Sequence, residues 1–233
     1  MDLREYATDE LLALLPVPAD KANKYTRGKL TVVAGCERYP GAACLAAFAS
    51  QRMGAGYTEV VTSPSSVSIV QAFRPSLVVR PWDTWDVRVS APTRSNNPFA
   101  CLVGSGFDVV DDGLAKLVYR VLKQVEAPVV VDAGGLAALT STKGQRLLRR
   151  RFLQGWPTVV TPHGGEAARL AAPFNLSTDD PAELAQNISL AYGVVAVVKG
   201  ADTLSPTVNR SYTWERARRR LLRRVRVMCW RAW

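Results

Sequence analysis

The chain has 233 residues, is 48% hydrophobic and carries a formal charge of +10. That length and apolar share support one α/β-sized core in one or two domains, and no run reaches the ~18 apolar residues of a membrane-spanning helix. The charge is lopsided: nine arginines and one glutamate give residues 205–233 a charge of +8, leaving +2 for residues 1–204, so the body lacks the footprint of a nucleic-acid-binding fold. The acidic N-terminal stretch has no basic-then-apolar order and does not read as a secretory signal. Four scattered cysteines (Cys36, Cys44, Cys101, Cys229) with one histidine argue against a zinc site or a disulfide framework and fit a reducing, cytoplasmic setting.

Residues 8–15 read as a short helix capped by Thr8, followed by a proline-bearing linker. Lys29–Gly35 predicts a strand, Tyr39–Gly56 an alanine-rich helix ended by glycines, and Tyr57–Thr62 a second strand, together a βαβ unit. Ser65–Phe73 predicts a weak helix and Leu77–Arg80 a short strand. Trp82–Pro98 is polar and proline-bearing and reads as surface loop. Ala100–Val103 predicts a strand, Asp111 caps a helix to about Val125, and Pro128–Asp132 has the continuous apolar character of a buried strand. Gly135–Leu139 opens the next helix, Gln145–Leu153 is basic and amphipathic, Pro181–Tyr192 predicts a helix and Val194–Val198 a last buried strand. Alternating strands and helices with apolar strands covered on both faces predict a three-layer α/β/α sandwich around a mostly parallel sheet.

One stretch carries the most chemistry. Thr158–Thr161 is a β-branched strand that stops at Pro162. His163, the sole histidine, then Gly164, Gly165 and Glu166 lead into a helix. Such a turn sits where open α/β sheets bind ligands. The glycines permit close backbone approach, and Glu166 suits a first helical turn. Its plain alternative is a βα loop with an incidental histidine.

Every strand-end loop is glycine-rich or polar: GCERYPGAA, GSGFD, DAGGL, TPHGGE and KGADT. Five in order point to one crevice lined with backbone N–H groups and helix N-termini, suited to phosphates. No GxxxxGK[ST] occurs, which excludes a P-loop, and no GxGxxG occupies the first βα turn, which argues against a conventional dinucleotide fold.

The ordered set over residues 24–204 resembles the ribokinase-like family of ADP-dependent NAD(P)H-hydrate dehydratases, whose pattern is a GAA helix, GPGLG, DADAL, TPHPGE and KGAxT. The resemblance implies repair of hydrated NADHX or NADPHX to NADH or NADPH, driven by a nucleotide phosphate (ADP or ATP, with Mg2+) that turns the hydroxyl into a leaving group. It implies that Ala42, Gly104 and Gly106 line the hydrate site with His163 beside it. Lys199, Gly200, Ala201, Asp202 and Thr203 would hold the adenine nucleotide. It also implies homo-oligomers, while the short apolar runs and near-neutral body predict no membrane span and no specific nucleic-acid partner. Read without the family, Ala42 is helix packing, Gly104 and Gly106 an ordinary turn, Asp132 a helix cap and Lys199 a solvated edge charge. Metal ligands are not identified.

The sequence also departs from the pattern. GPGLG has become GSGFD, with Asp108 at a glycine position; DADALN has become DAGGLA, with Gly134 for an acid and Ala137 for an amide; TPHPGE has become TPHGGE. The family continues with a hairpin and a GTGD loop, whose amides form an anion hole and whose aspartate takes the substrate's proton. Residues 205–233 contain no Gly, Asp or His. We expect two parts: an incomplete dehydratase domain over 1–204 and an arginine-rich tail over 205–233 produced by loss of reading frame near Leu204. Loss of the covering C-terminal part exposes apolar sheet surface and predicts poor solubility and impaired turnover. Rival readings are a ribokinase-like kinase of a small alcohol or vitamin precursor, a non-catalytic nucleotide-binding module, and a tail-driven binder of polyanions.

Overall fold

The computed structural model describes residues 9, 12–13, 15, 17–90, 97–200, 203 and 205. The predicted N-terminal helix with its Thr8 cap falls mostly outside these residues, as do Ala201, Asp202 and residues 206–233.

Among the described residues, seven strands form one sheet in the order β3-β2-β1-β4-β5-β6-β7. They are β1 Lys29–Val33, β2 Tyr57–Thr62, β3 Val78–Pro81, β4 Phe99–Val103, β5 Val129–Val131, β6 Thr158–Val160 and β7 Val195–Ala196. Every neighbouring pair is parallel, from Lys29 opposite Tyr57 at β1–β2 to Val160 opposite Ala196 at β6–β7. The helices are α1 Pro40–Arg52, α2 Val67–Phe73, α3 Val87–Ser90, α4 Asp112–Gln124, α5 Thr142–Leu153, α6 Gly164–Ala171 and α7 Pro181–Tyr192. The expected α/β sandwich is therefore observed, with an all-parallel sheet.

The β-branched strands bury both faces, and their alternation divides the core in two. Val32, Ala34 and Val60 pack with Ala43, Cys44 and Ala47 of α1 and Val70 of α2. Val33, Val61, Val103, Val131 and Val160 face the other way, onto α4, α5, α6 and α7. Helices α1 and α2 thus cover one face over β1–β3, while the later helices cover the opposite face. Beyond β4, the face shared with α1 carries no helix among the described residues, and there Leu102, Val130 and Val197 stay half-buried.

Several local expectations need correction. The segment Trp82–Pro98 is not plain surface loop: it contains α3, and Trp85 and Val87 are buried, 4% and 3% exposed, in the core. Residues 133–140 form a 3-10 segment rather than the start of an α-helix, because Gly134 and Gly135 lie against the loop after β4. Helix α5 is basic, as expected, yet Arg151 points inward and is 2% exposed. Its guanidinium donates to the carbonyls of Val125 and Ala127 at 2.5 and 2.6 Å and to Thr158 Oγ1 at 2.9 Å. It thereby satisfies carbonyls at and just beyond the C-terminus of α4, where a cation is favoured.

A second buried charge lies near the strands' N-terminal ends. Glu59, 1% exposed, accepts from Arg80 Nε at 2.8 Å and Thr31 Oγ1 at 3.2 Å, and pairs with Lys29 Nζ at 3.1 Å. This cluster ties β1, β2 and β3 together, away from the loops that follow β4 to β7.

Candidate functional site

One groove of about 590 Å3 runs along the sheet face, from Arg27, Gly28, Lys29 and Pro98 at the N-terminal ends of β1 and β4 to the loops after β4, β5, β6 and β7. Its floor is the sheet face that carries half-buried Leu102 and Val130 and buried Val159, and one wall is the small-residue stripe Ala42, Ala46 and Ala49 of α1. Its polar end is built from loop residues Ser105, Gly106, Asp132, Thr161, Lys199 and Thr203. The apolar floor and wall suit a flat ring, and the convergent donors suit an anion.

The glycines bring these loops together. Gly106 has φ +75°, and a Cβ there would sit 2.5 Å from the Cβ of Ala42. Gly104 has φ +113°, and a Cβ there would meet the carbonyl oxygen of Asp132 at 2.3 Å. Both positions therefore require glycine for conformation and for space. The Gly35 amide also donates to Ser105 O at 2.8 Å, joining the β1 and β4 loops at the point where the strand order reverses.

Asp132 is the centre of the polar end. It precedes the 3-10 segment but makes no side-chain cap bond, so the capping role read from the sequence is not what its side chain does. Its Oδ1 accepts from Thr161 Oγ1 at 2.7 Å and Lys199 Nζ at 2.9 Å, and its Oδ2 accepts from Ser105 Oγ at 3.0 Å. Burial alone raises its pKa, but the bonds from Lys199, Thr161 and Ser105 outweigh that and hold the carboxyl below its ordinary range. Ala133, directly after it, has φ +50°, a left-handed conformation rare for a residue with a side chain. Sequence reading undervalued Asp132; the signal was an acid at the end of a fully apolar strand.

His163 caps α6: its Nδ1 accepts from the Gly165 amide at 3.1 Å, while Glu166 Oε2 accepts from the His163 amide at 2.9 Å. This reciprocal capping box confirms the helix start read from TPHGGE. His163 is largely exposed, 62% by side chain, and stands beside the groove rather than in its lining; its backbone bridges to Lys199. Of the other expected site residues, Ala42, Gly106, Lys199 and Thr203 line the groove, whereas Gly104 shapes the loop beneath it and Gly200 is exposed. Ala201 and Asp202 lie outside the described residues. Asp108, at a position where the family has glycine, accepts from the Val110 amide at 3.3 Å and is not part of the groove. Among the described residues, no group of three histidine, cysteine, aspartate or glutamate side chains could hold a metal ion.

Comparison with known proteins agrees with this architecture. Residues 30–210 match the family model described as NAD(P)H-hydrate dehydratase, Carb_kinase. An ADP-dependent (S)-NAD(P)H-hydrate dehydratase of Xanthomonas campestris pv. campestris is 31% identical over 84% of this chain and 66% of its own length. The bifunctional NAD(P)H-hydrate repair enzyme Nnr of Mycobacterium tuberculosis is 30% identical over 87% of this chain and 39% of its own. The chain thus spans less than two thirds of these relatives. The crystal structure of the ADP/ATP-dependent NAD(P)H-hydrate dehydratase of Bacillus subtilis, co-crystallized with ATP/Mg2+, superposes with a TM-score of 0.70 at 27% identity, covering 88% of this chain and 69% of that one. With the motif order, the parallel sheet and the family match in agreement, the chain belongs to the NAD(P)H-hydrate dehydratase family.

Proposed function

We infer that the groove binds an adenine nucleotide and the hydrated nicotinamide of NADHX or NADPHX, and that the complete site dehydrates the latter at the expense of a nucleotide phosphate. The observation that carries this reading is the convergence of Ala42, Gly106, Asp132, Lys199 and Thr203 on one groove with an apolar body and a polar end. The apolar floor would take the nicotinamide ring, and Lys199 and Thr203 would face the nucleotide's phosphates. His163 stands beside the mouth with its Nδ1 committed to the helix cap and its Nε2 3.4 Å from Glu166 Oε1, so it would shape the site through its position. Relatives named as ADP-dependent and as ATP-dependent both match this chain, so either nucleotide suits the reading.

Magnesium fits less well on this chain's own side chains. Asp132 spends its oxygens on three donors, and Glu166 is held in the capping box. The ion would therefore have to arrive on the phosphates with its own waters, and no step is derived through it.

No GTGD occurs in the 233 residues, and Asp132, accepting three hydrogen bonds and held ionised, is a weak base. We therefore expect these residues to bind without efficient turnover unless a proton acceptor is supplied from outside them. Cytoplasmic residence and homo-oligomerisation belong to the same reading; the free, buried Cys36, Cys44 and Cys101 support a reducing compartment. Nucleotide titration by calorimetry tests the binding half: saturable ADP or ATP binding supports it, and no binding of either refutes it.

A further inference from the structure

Asp132 is the one carboxylate among the described residues that line the groove. Three features set it apart from an ordinary strand-end acid. It stands at the cap position of the 3-10 segment yet its side chain accepts no cap bond. The residue after it is held in a left-handed conformation without being glycine, and such strain persists only where surrounding contacts impose it. Finally, its three donors come from three different loops, after β4, β6 and β7. The backbone beneath is equally constrained, since Gly104 and Gly135 pack so closely that a Cβ on Gly135 would meet the Gly104 Cα at 2.8 Å.

We propose that Asp132 is a positioning residue: it fastens the loops after β4 and β6 and, through its remaining Oδ1 lone pair, holds the Lys199 ammonium at the polar end of the groove for an anionic phosphate. A lysine on a flexible four-carbon stem would otherwise sample many rotamers, with 44% of its side chain exposed. Thr161 and Ser105 fix the carboxylate, the carboxylate fixes Lys199, and the ammonium keeps two further N–H donors for a ligand. Asp132 carries the same charge sign as the ligand it serves. Three of its roughly four acceptor sites are already occupied by donors, which damps that repulsion. The inference takes its ligand class, a phosphate, from the nucleotide reading above, but the link between Asp132 and Lys199 stands on geometry alone.

The test is competitive acetylation of the full chain with acetic anhydride, reading Lys199 against exposed Lys123 by peptide mass spectrometry. An amine held in a charge-assisted bond reacts more slowly, so Asp132→Asn raises Lys199 labelling about fivefold. Inorganic pyrophosphate or ADP protects Lys199 in the unaltered chain and protects it at least several-fold less in Asp132→Asn. A merely structural Asp132 would lower the melting temperature without changing Lys199 labelling in the folded protein, and that result overturns the inference. So does tighter pyrophosphate protection in Asp132→Asn, which would make the carboxylate an obstacle. If Asp132→Asn does not fold, the double variant Ser105→Ala, Thr161→Val, which loosens the carboxylate, gives a smaller rise; no rise there also overturns it. Protection by pyrophosphate but not by ADP supports the positioning role and removes the nucleotide reading. Protection by neither overturns both.

Discussion

Replacing Arg151 with methionine removes the largest fully buried side chain's charge while keeping an aliphatic stem of similar volume. Three bonds to Val125, Ala127 and Thr158 are lost, and charge-assisted bonds contribute roughly 1.5–3 kcal/mol each. Against that, burial pushes the guanidinium pKa down from 12.5 to about 10, and methionine relieves that charge burial, worth about 3 kcal/mol at ~1.4 kcal/mol per unit. The bonds win, and the net loss is about 1–6 kcal/mol, a span that includes the cost of deleting one partner of a buried polar pair. For a chain of this size that is a fall in melting temperature on the order of 10 °C. Urea unfolding followed by circular dichroism reads it directly. A loss below about 1 kcal/mol would refute the reasoning, since the orphaned carbonyls of Val125 and Ala127 would then find other partners at little cost.

Gly104→Ala forces a Cβ against the Asp132 carbonyl at φ +113°; it should cost at least about 2 kcal/mol and abolish nucleotide binding, measured by melt and calorimetry. The open sheet face gives a paired test: Val130→Ser, half-buried on the groove floor, should cost less than about 1 kcal/mol, whereas Val131→Ser, fully buried, should cost about 3 kcal/mol or more. Equal costs at the two positions would mean that the floor is covered in solution. The depressed pKa of Asp132 sets a pH dependence. The stability it confers is present above the unfolded value of about 4 and is lost as pH falls through the lower folded value. Asp132→Asn should therefore lose stability relative to the unaltered chain at pH 7 but not near pH 2 in acid unfolding curves.

Much of this molecule is legible in its sequence because its elements obey local rules. Tyr57–Thr62 and Pro181–Tyr192 have the bounds their patterns predict, since a β-branched run and an Asp-capped, proline-led helix leave little choice. The capping box at His163 and Glu166 follows from spacing alone. What the sequence hides depends on long-range contacts. Arg151 lies in a run of three arginines, Arg149–Arg151, and nothing local distinguishes the buried one; only the α4 C-terminus, more than twenty residues earlier, gives it partners. Trp85 sits in a polar, proline-bearing stretch and is buried because the core reaches it. Asp132 reads locally as a helix cap, but its donors come from residues 105, 161 and 199. The loops' glycines announced a crevice; which side chain organises it required the fold.

The departures in the same loops bear on turnover. Gly134 stands where the resembling family has an acid, and a Cβ there would meet the Phe107 carbonyl at 2.1 Å. In this chain the position is closed to any side chain, so restoring the acid alone would disrupt the loop rather than repair the site. Close-packed glycines thus bring the loops after β4, β5 and β6 together around the polar end of the groove.

The most direct measurement is NADH formation from NADHX with ADP or ATP and magnesium, followed at the nicotinamide absorbance. The chain as it stands should be run beside a version extended with a GTGD-bearing C-terminal segment in place of residues 205–233. Turnover only in the extended version is the predicted result. Comparable turnover by the chain as it stands would contradict the account, because a residue within these 233 would then serve as the base.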